Sequence, residues 1–531
     1  MKFANFDLGA MARWNPNWKN ITFFLLILFL SIFARAWEFR SLPPGLHQDE
    51  ASIGVEAFSL LHYGVDRNNI SFPVHFIAWG SGQNALYGYV LIPFVWLFGL
   101  TPTTVRIPIF ISGIASLPLI YLTAKRLWNE QFGLLAMFFI AISPWHILLS
   151  RWGLESNLLP FTFLVGFTCL LYSKDKPYLF YAAMAFFALS FYCYGTAYAT
   201  IPIFLLLAFP IIFRSRWLEK RPLLIGFSLF VLISIPIGLF IVINTFKLQP
   251  IHIGLFTIPR MPATQTRYEY LGAIYREGFF SSILLNSKIF VRVLLTQTDD
   301  KLRNTVDPYG YFYLVTFPFA LLGIYQMFRE KNSSYRPERM LLLAWLFAGF
   351  VLGFLQPVNL NRINFLLIPL ILMIAYFVYW VAARYRYALQ MSIIFLITAF
   401  AFFTRDYHAP EYREEAEKEF FTGFLPAVQS ALAIPGVPVC ITTEKLQEPF
   451  IYVLFADPPN PGDYLDTMVY EDSHAQIRQV EKMMRYTFGL ENCLDTPETV
   501  YVLFRTERPP RGAKFFEIET FNRYRVYFPK Q

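Results

Sequence analysis

Charge is scarce in this chain. Only 15% of its 531 residues are Asp, Glu, Lys or Arg, against 56% hydrophobic and 19% aromatic, a balance that excludes an ordinary soluble globular protein. The chain has no Walker loop, GxGxxG, GxSxG, HExxH or CxxC, so no soluble-enzyme signature is present. It also has no fixed-period repeat and no low-complexity tract. Cysteine is limited to four residues: Cys169 and Cys193 fall in apolar runs and read as small core residues, whereas Cys440 and Cys493 lie in the polar tail. That second pair could bridge if the tail faces an oxidising compartment. The net charge of +8 does not point to nucleic acid, because Lys and Arg cluster in short segments between apolar runs, as topology signals do.

What is abundant is apolar length. Runs long enough to cross a hydrocarbon core of about 30 Å recur through the first three quarters of the chain. Candidate spans are 20–38, 84–100, 105–123, 131–148, 158–173, 178–194, 197–213, 223–244, 309–328, 340–356, 363–383 and 388–403. Lys2, Arg13 and Lys19 precede the first, which reads as an uncleaved span rather than a signal peptide. Basic clusters at Arg214/Arg216/Lys220/Arg221, Arg329/Lys331/Arg336/Arg339 and Arg384/Arg386 read as cytoplasmic. Counting outward from them leaves one candidate too many before 214. The short segment 84–100 is the expected exception, giving about eleven crossings. The expected architecture is an all-α polytopic membrane domain over 1–403. It carries a surface-helix loop at 41–83 and a large outer loop at 245–308 rich in Arg and Lys. A small soluble α/β domain follows over 404–531, with strands expected at 437–443, 450–456, 499–505 and 523–528 and a helical stretch at 471–488.

One stretch organises the rest: Leu42 to Gly64, LPPGLHQDEASIGVEAFSLLHYG. Pro43-Pro44-Gly45 stops the first span, Asp49 reads as an N-cap, and Ile53, Ala57, Leu60 and Leu61 share one helical side. This predicts an amphipathic helix lying on the bilayer with adjacent carboxylates, Asp49 and Glu50, at its tip, where the helix dipole favours their ionised form. The plain alternative is a cap followed by a solvated acid. His47, Asp49, Glu50 and His62 include ligand types for a divalent metal, at a spacing that matches no standard site. More polar groups gather at span ends expected on the same face: Trp145-His146, the run Ser150-Arg151-Trp152-Gly153-Leu154-Glu155-Ser156-Asn157, and Asn361-Arg362-Ile363-Asn364. Such charges pair or mark a functional cavity; Arg151 with Glu155 also fits a simple helix-end ion pair.

The order of these motifs carries a resemblance. A first span precedes PPGLH and the D-E pair; W-G-S-G-Q-N-x-L-Y at 79–87 and F-G-L…V-R-I-P at 98–108 follow, then S-P-W-H…S-R-W-G-L-E-S-N at 143–157 and F-T-I-P-R at 256–260. Over residues 20–403 the chain resembles bacterial membrane glycosyltransferases of the GT-C type, the broad group of protein O-mannosyltransferases and the lipid A aminoarabinose transferase. The resemblance implies an inverting enzyme that moves a sugar from a polyprenyl-phosphate carrier to an acceptor at the extracytoplasmic face, with no nucleotide and no obligatory cofactor; a divalent metal stays open. It implies Asp49 as catalytic base with Glu50 assisting, and Arg106, Arg151, Arg260 and Arg362 on the donor phosphate. His47, Gln83, Asn84, His146, Glu155 and Asn157 are expected near the sugar or acceptor. The chain departs from relatives in having Gln83-Asn84 where a second acid often precedes the second span. A transporter or flippase is the alternative, and it would place ionisable residues at mid-span. The sugar and acceptor are not written in the sequence.

Overall fold

The computed structural model describes residues 18–79, 82–262, 278–299, 301–329, 336–472, 475, 478–493, 498–510 and 515–529. Lys2, Arg13, Gly80, Ser81 and Lys331, named above, and Arg267 and Arg276 of the 245–308 segment lie outside the described residues. Helix α1 (Trp18–Ala36) is followed by α2 (Gln48–Tyr63), α3 (Leu86–Phe98) and α4 (Pro102–Leu127). Among the described residues nine helices are long and apolar enough to cross a membrane, and four shorter apolar ones accompany them. The chain is thus a multi-pass helical protein, as its composition requires.

Two expectations about the membrane part change or gain detail. The segment 245–308 is not simply a loop: Phe279–Thr296 forms an apolar helix of 18 residues. Lys288 and Arg292 dilute its hydropathy and made it read as a basic loop. The 84–100 segment folds as α3, 13 residues with Pro93 inside. At 1.5 Å per residue it reaches about 20 Å, short of a hydrocarbon core of about 30 Å.

Helix α2 is not an amphipathic helix on a lipid surface. Both of its sides are covered, and Glu50, Ala51, Ile53 and Glu56 are all fully buried. It packs on α3 and α4 below and against helix Phe450–Ala456 of the C-terminal region above. Gly54 marks how close that layer lies, since a Cβ there would meet the Phe455 ring at 2.8 Å. Between α2 and α3, strand β1 (His75–Phe76) pairs antiparallel with β2 (Gln83–Asn84). A second hairpin, β3 (Ile251–Ile253) with β4 (Phe256–Ile258), docks beside it through Val74 N–H donating to the Thr257 carbonyl at 3.0 Å.

The C-terminal region builds a seven-stranded sheet from β5 (Val439–Ile441), β6 (Val469–Tyr470), β7 (Val480–Met483), β8 (Tyr486–Phe488), β9 (Val500–Phe504), β10 (Phe515–Phe521) and β11 (Tyr524–Pro529). Its order is β10-β11-β9-β5-β8-β7-β6, with β5 parallel to both neighbours and every other pair antiparallel. Cys440 on β5 and Cys493 form a disulfide. The expected strand at 450–456 is instead a helix. FIYVLFA is apolar throughout and buried on all sides, a pattern that does not separate strand from helix. The expected helical stretch 471–488 holds β7 and β8, where Val480 and Met483 turn inward.

Candidate active site

The tip of α2 is shaped by a capping box, but the cap is His47 rather than Asp49. His47 is extended (φ −77°, ψ 149°), its Nδ1 accepts from the Asp49 N–H at 3.2 Å, and its own N–H donates to Glu50 Oε2 at 3.1 Å. This box sends the two neighbouring carboxylates in different directions. Gly45 before it has φ +69°, and a Cβ there would lie 2.3 Å from the Phe420 carbonyl oxygen, so only glycine lets the C-terminal region approach this closely.

Glu50 points inward. Arg106 on α4 binds it with both arms, Nε to Oε1 at 2.7 Å and Nη2 to Oε2 at 2.8 Å, and the Gly153 N–H donates to Oε1 at 3.0 Å. Arg106 also donates to the carbonyls of Pro43 (2.7 Å) and Gly45 (2.9 Å). Both side chains are essentially inaccessible, 2% and 0% exposed. Arg151 is equally occupied, donating to the carbonyls of Leu42, Trp37 and Ala34 at the end of α1. Glu50, expected beside the base, and Arg106 and Arg151, expected at a phosphate, are thus held here by one another or by backbone carbonyls of the protein. Most of their hydrogen-bonding groups meet partners within the protein, and they fix the turn that aims α2.

Asp49 points outward, with its side chain 23% exposed. Trp79 Nε1–H donates to its Oδ1 at 2.9 Å, and His47 Nδ1 lies 3.5 Å from Oδ2. On the far side of the imidazole, Arg303 Nη1 is 3.3 Å from His47 Nε2 and 2.8 Å from Glu419 Oε2. The Arg303 guanidinium lies over the Trp152 ring, and its buried Nε has no hydrogen-bond partner among the described residues. Lys301 and Arg362 complete a cationic group: burial first, then Arg303 and also Arg362, push the Lys301 pKa below the usual lysine value. Arg362 gives one N–H to the Pro357 carbonyl at 2.5 Å. Asp299 orders this corner, accepting from Asn304 Nδ2 at 2.7 Å and from the Leu360 N–H at 2.9 Å. Burial, with help from Arg303 and against the pull of Asp49, holds the His47 pKa below its usual value. His47 is thus a neutral spacer at neutral pH, between an acceptor-only carboxylate and a cluster of donors.

The other expected residues scatter. Gln83 stays close, donating through Nε2 to the Asp49 carbonyl at 3.4 Å and accepting from Ser52 Oγ at 2.5 Å. Asn84 is tied inside to the Phe191 carbonyl and the Tyr198 hydroxyl. His146 is buried against Arg35, with Nδ1 2.8 Å from Nη2. Asn157 belongs to an interior chain in which Trp145 donates to Asn364, and Asn364 to Asn157. Glu155 is buried in the first turn of helix Glu155–Tyr172. Asn84, His146, Glu155 and Asn157, expected near the sugar or acceptor, are all buried. Arg260 is exposed just after β4, apart from the cluster. Lys301 and Arg303 were visible as basic residues of the 245–308 segment, but nothing in their spacing set them above their neighbours. Among the described residues no three His, Cys, Asp or Glu side chains converge as a metal site.

Residues 85–240 match the model of the dolichyl-phosphate-mannose-protein mannosyltransferase family. No curated protein matches the chain. ArnT from Cupriavidus metallidurans, solved bound to undecaprenyl phosphate, is similar at 12% identity and a TM-score of 0.53, over 96% of this chain and 97% of that one. The oligosaccharyltransferase of Archaeoglobus fulgidus in its apo form is similar at 14% identity and a TM-score of 0.50, over 83% of this chain. The present chain spans 64% of that enzyme's length. The resemblance to GT-C membrane glycosyltransferases therefore holds for the fold and, over residues 85–240, for the family match.

Proposed function

We propose that this chain, a GT-C fold with a mannosyltransferase-family segment at its centre, is an inverting glycosyltransferase that draws on a polyprenyl-phosphate sugar. The observation that carries the reading is the pairing of Asp49, partly open and steered by Trp79, with the Lys301–Arg303–Arg362 cations across His47. Asp49 takes the proton of an acceptor hydroxyl as its oxygen attacks the anomeric carbon. The bond from that carbon to the phosphate oxygen breaks, and the phosphate leaves with the electron pair. A carboxylate of ordinary basicity suffices when proton transfer and displacement are concerted. Arg303 and Lys301, both partly buried, neutralise the charge that grows on the departing phosphate, with Arg362 beside them. The undecaprenyl phosphate bound to the similar ArnT supports a lipid phosphate as the leaving group.

The same reading places the site and the C-terminal sheet outside the cytoplasm. The Cys440–Cys493 disulfide supports that side, since such bonds persist in oxidising compartments. Residues 1–403 form the membrane-embedded catalytic part and 404–531 the covering part. The test is turnover of radiolabelled polyprenyl-phosphate sugars by purified wild type and Asp49→Asn. Transfer by wild type with inversion, lost in the variant, supports the assignment; equal transfer by both removes it.

A further inference from the structure

Hairpin β3–β4 carries its apolar groups on the outside. Residues 245–256 are all exposed, and Phe246, Leu248, Ile251, Ile253, Leu255 and Phe256 among them are large and apolar. Leu255, next to Gly254 in the turn, is 69% exposed. By contrast, the described residues of the C-terminal region leave only Val469, Met484 and Ile518 of that kind in the open. So dense a patch is not ordinary surface; it marks an interaction.

Its place in the fold says with what. The hairpin leaves helix Lys220–Phe246, which is long and apolar enough to cross a membrane, at Lys247. It returns to the last turn of the same helix. Asn244 Nδ2 donates to the Pro259 carbonyl at 3.2 Å, and the Met261 N–H donates to Asn244 Oδ1 at 2.7 Å. Both ends of the hairpin are therefore fixed at the end of a span, and its three-residue strands reach only about 10 Å from there. Register sorts its two faces. Ile251 opposes Ile258 and Ile253 opposes Phe256 on one, while His252 opposes Thr257 on the other. Lys247 and Arg260, both exposed, flank the pair of strands.

We propose that this hairpin is a foot on the bilayer. Its turn and its Ile251–Ile253–Phe256 face lie at the boundary between headgroups and acyl chains, in the leaflet where helix Lys220–Phe246 ends. Lys247 and Arg260 meet lipid phosphates there. The depth is bounded from both sides. Bulk water would leave the large apolar side chains wet. The hydrocarbon core would strand the N–H and C=O groups on the outer edge of β3, which pairs only with β4 among the described residues. Apolar groups spread along the whole run from Phe246 to Phe256 also suit a fluid that closes around them better than a rigid partner that meets one face. The foot steadies the loop that leads to Trp79, since Ser71 Oγ donates to the Leu255 carbonyl at 3.0 Å and the Thr257 N–H to the Phe72 carbonyl at 3.4 Å. The lipid contact does not rest on the glycosyltransfer reading.

The test begins with the full wild-type chain in nanodiscs of phosphatidylcholine and phosphatidylglycerol. A phosphatidylcholine with a benzophenone high on its acyl chain is included, and the irradiated protein is digested with trypsin. Cleavage after Lys247 and Arg260 isolates the hairpin in one peptide, Leu248–Arg260. Lipid adducts are expected on that peptide around Ile253, Leu255 and Phe256. The double variant Leu255→Asp with Phe256→Asp, at two exposed positions, should lose them while adducts on helix Lys220–Phe246 persist. A second measurement reads depth from nitroxides on Ile253→Cys, Leu255→Cys and, for reference, Val469→Cys, each in a Cys169→Ser background. Collision with oxygen should exceed collision with an aqueous nickel chelate at Ile253 and Leu255, and the order should invert at Val469. Adducts on the helix but none on the wild-type hairpin peptide overturn the proposal. So do adducts that survive both aspartates, or nickel exceeding oxygen at Ile253 and Leu255.

Discussion

Asp49 and Glu50 are adjacent, chemically alike and start the same helix, yet they occupy opposite kinds of site. Glu50 lies with Arg106 in a closed lattice where both carboxylate oxygens and most of the guanidinium N–H groups meet partners of the protein itself. Asp49 and the Lys301–Arg303–Arg362 group form an open one, with a partly exposed carboxylate on one side and, on the other, a guanidinium N–H that has no partner among the described residues. Saturation distinguishes scaffold from chemistry. A buried ion pair whose hydrogen bonds are complete has nothing left to offer a substrate, whatever its charge.

Four measurements break or sharpen this contrast. Asp49→Asn should lower sugar transfer about 10²–10⁴-fold while purified yield and thermal unfolding stay near wild type. Glu50→Ala should behave oppositely. It strands Arg106 without its partner, at a cost of about 3–5 kcal/mol, so the readout is a lowered unfolding temperature and poor accumulation in membranes. A Glu50→Ala protein that folds normally and loses only transfer would erase the distinction. Arg303→Ala should reduce kcat/KM for the lipid-phosphate donor about tenfold to a hundredfold, and Arg362→Ala by a smaller factor, because Arg362 lies at the margin of the cluster. The gentlest effect is on pH. Glu56 and Glu448 are raised to about 8, and Asp66 to about 6, chiefly by burial. Between their ordinary values and these, the folded state holds protons that the unfolded chain has released, so stability falls as pH rises from about 5 toward 8. Glu448→Gln should flatten that slope in thermal unfolding at stepped pH.

The sequence disclosed the membrane class because apolar length is a one-dimensional signal. It disclosed the α2 tip because Pro-Pro-Gly followed by an acidic pair is local chemistry. The resemblance drew Asp49 forward, and the structure leaves it the open member of the pair. What stayed hidden depends on contacts distant in sequence. Nothing local says that Arg106 reaches back across 56 positions to Glu50, or that Arg303 comes to lie beside His47, 256 positions earlier. The resemblance set Arg106 and Arg151 on the phosphate, and a sequence does not reveal which arginines the protein already holds by hydrogen bonds. The 450–456 segment was misread because a short run that is apolar on every side has no period to recognise.

Leu46, one residue before the cap of α2, has its N–H accepted by the Phe420 carbonyl at 2.9 Å and its carbonyl bonded by the Tyr452 hydroxyl at 2.8 Å. The tail thus grips, through its backbone groups, the loop that leads into α2. Grafting the tail of a protein of similar fold onto this membrane portion should give unstable chimeras unless both grips are reproduced, and the two halves are therefore expected to change together rather than be traded as modules.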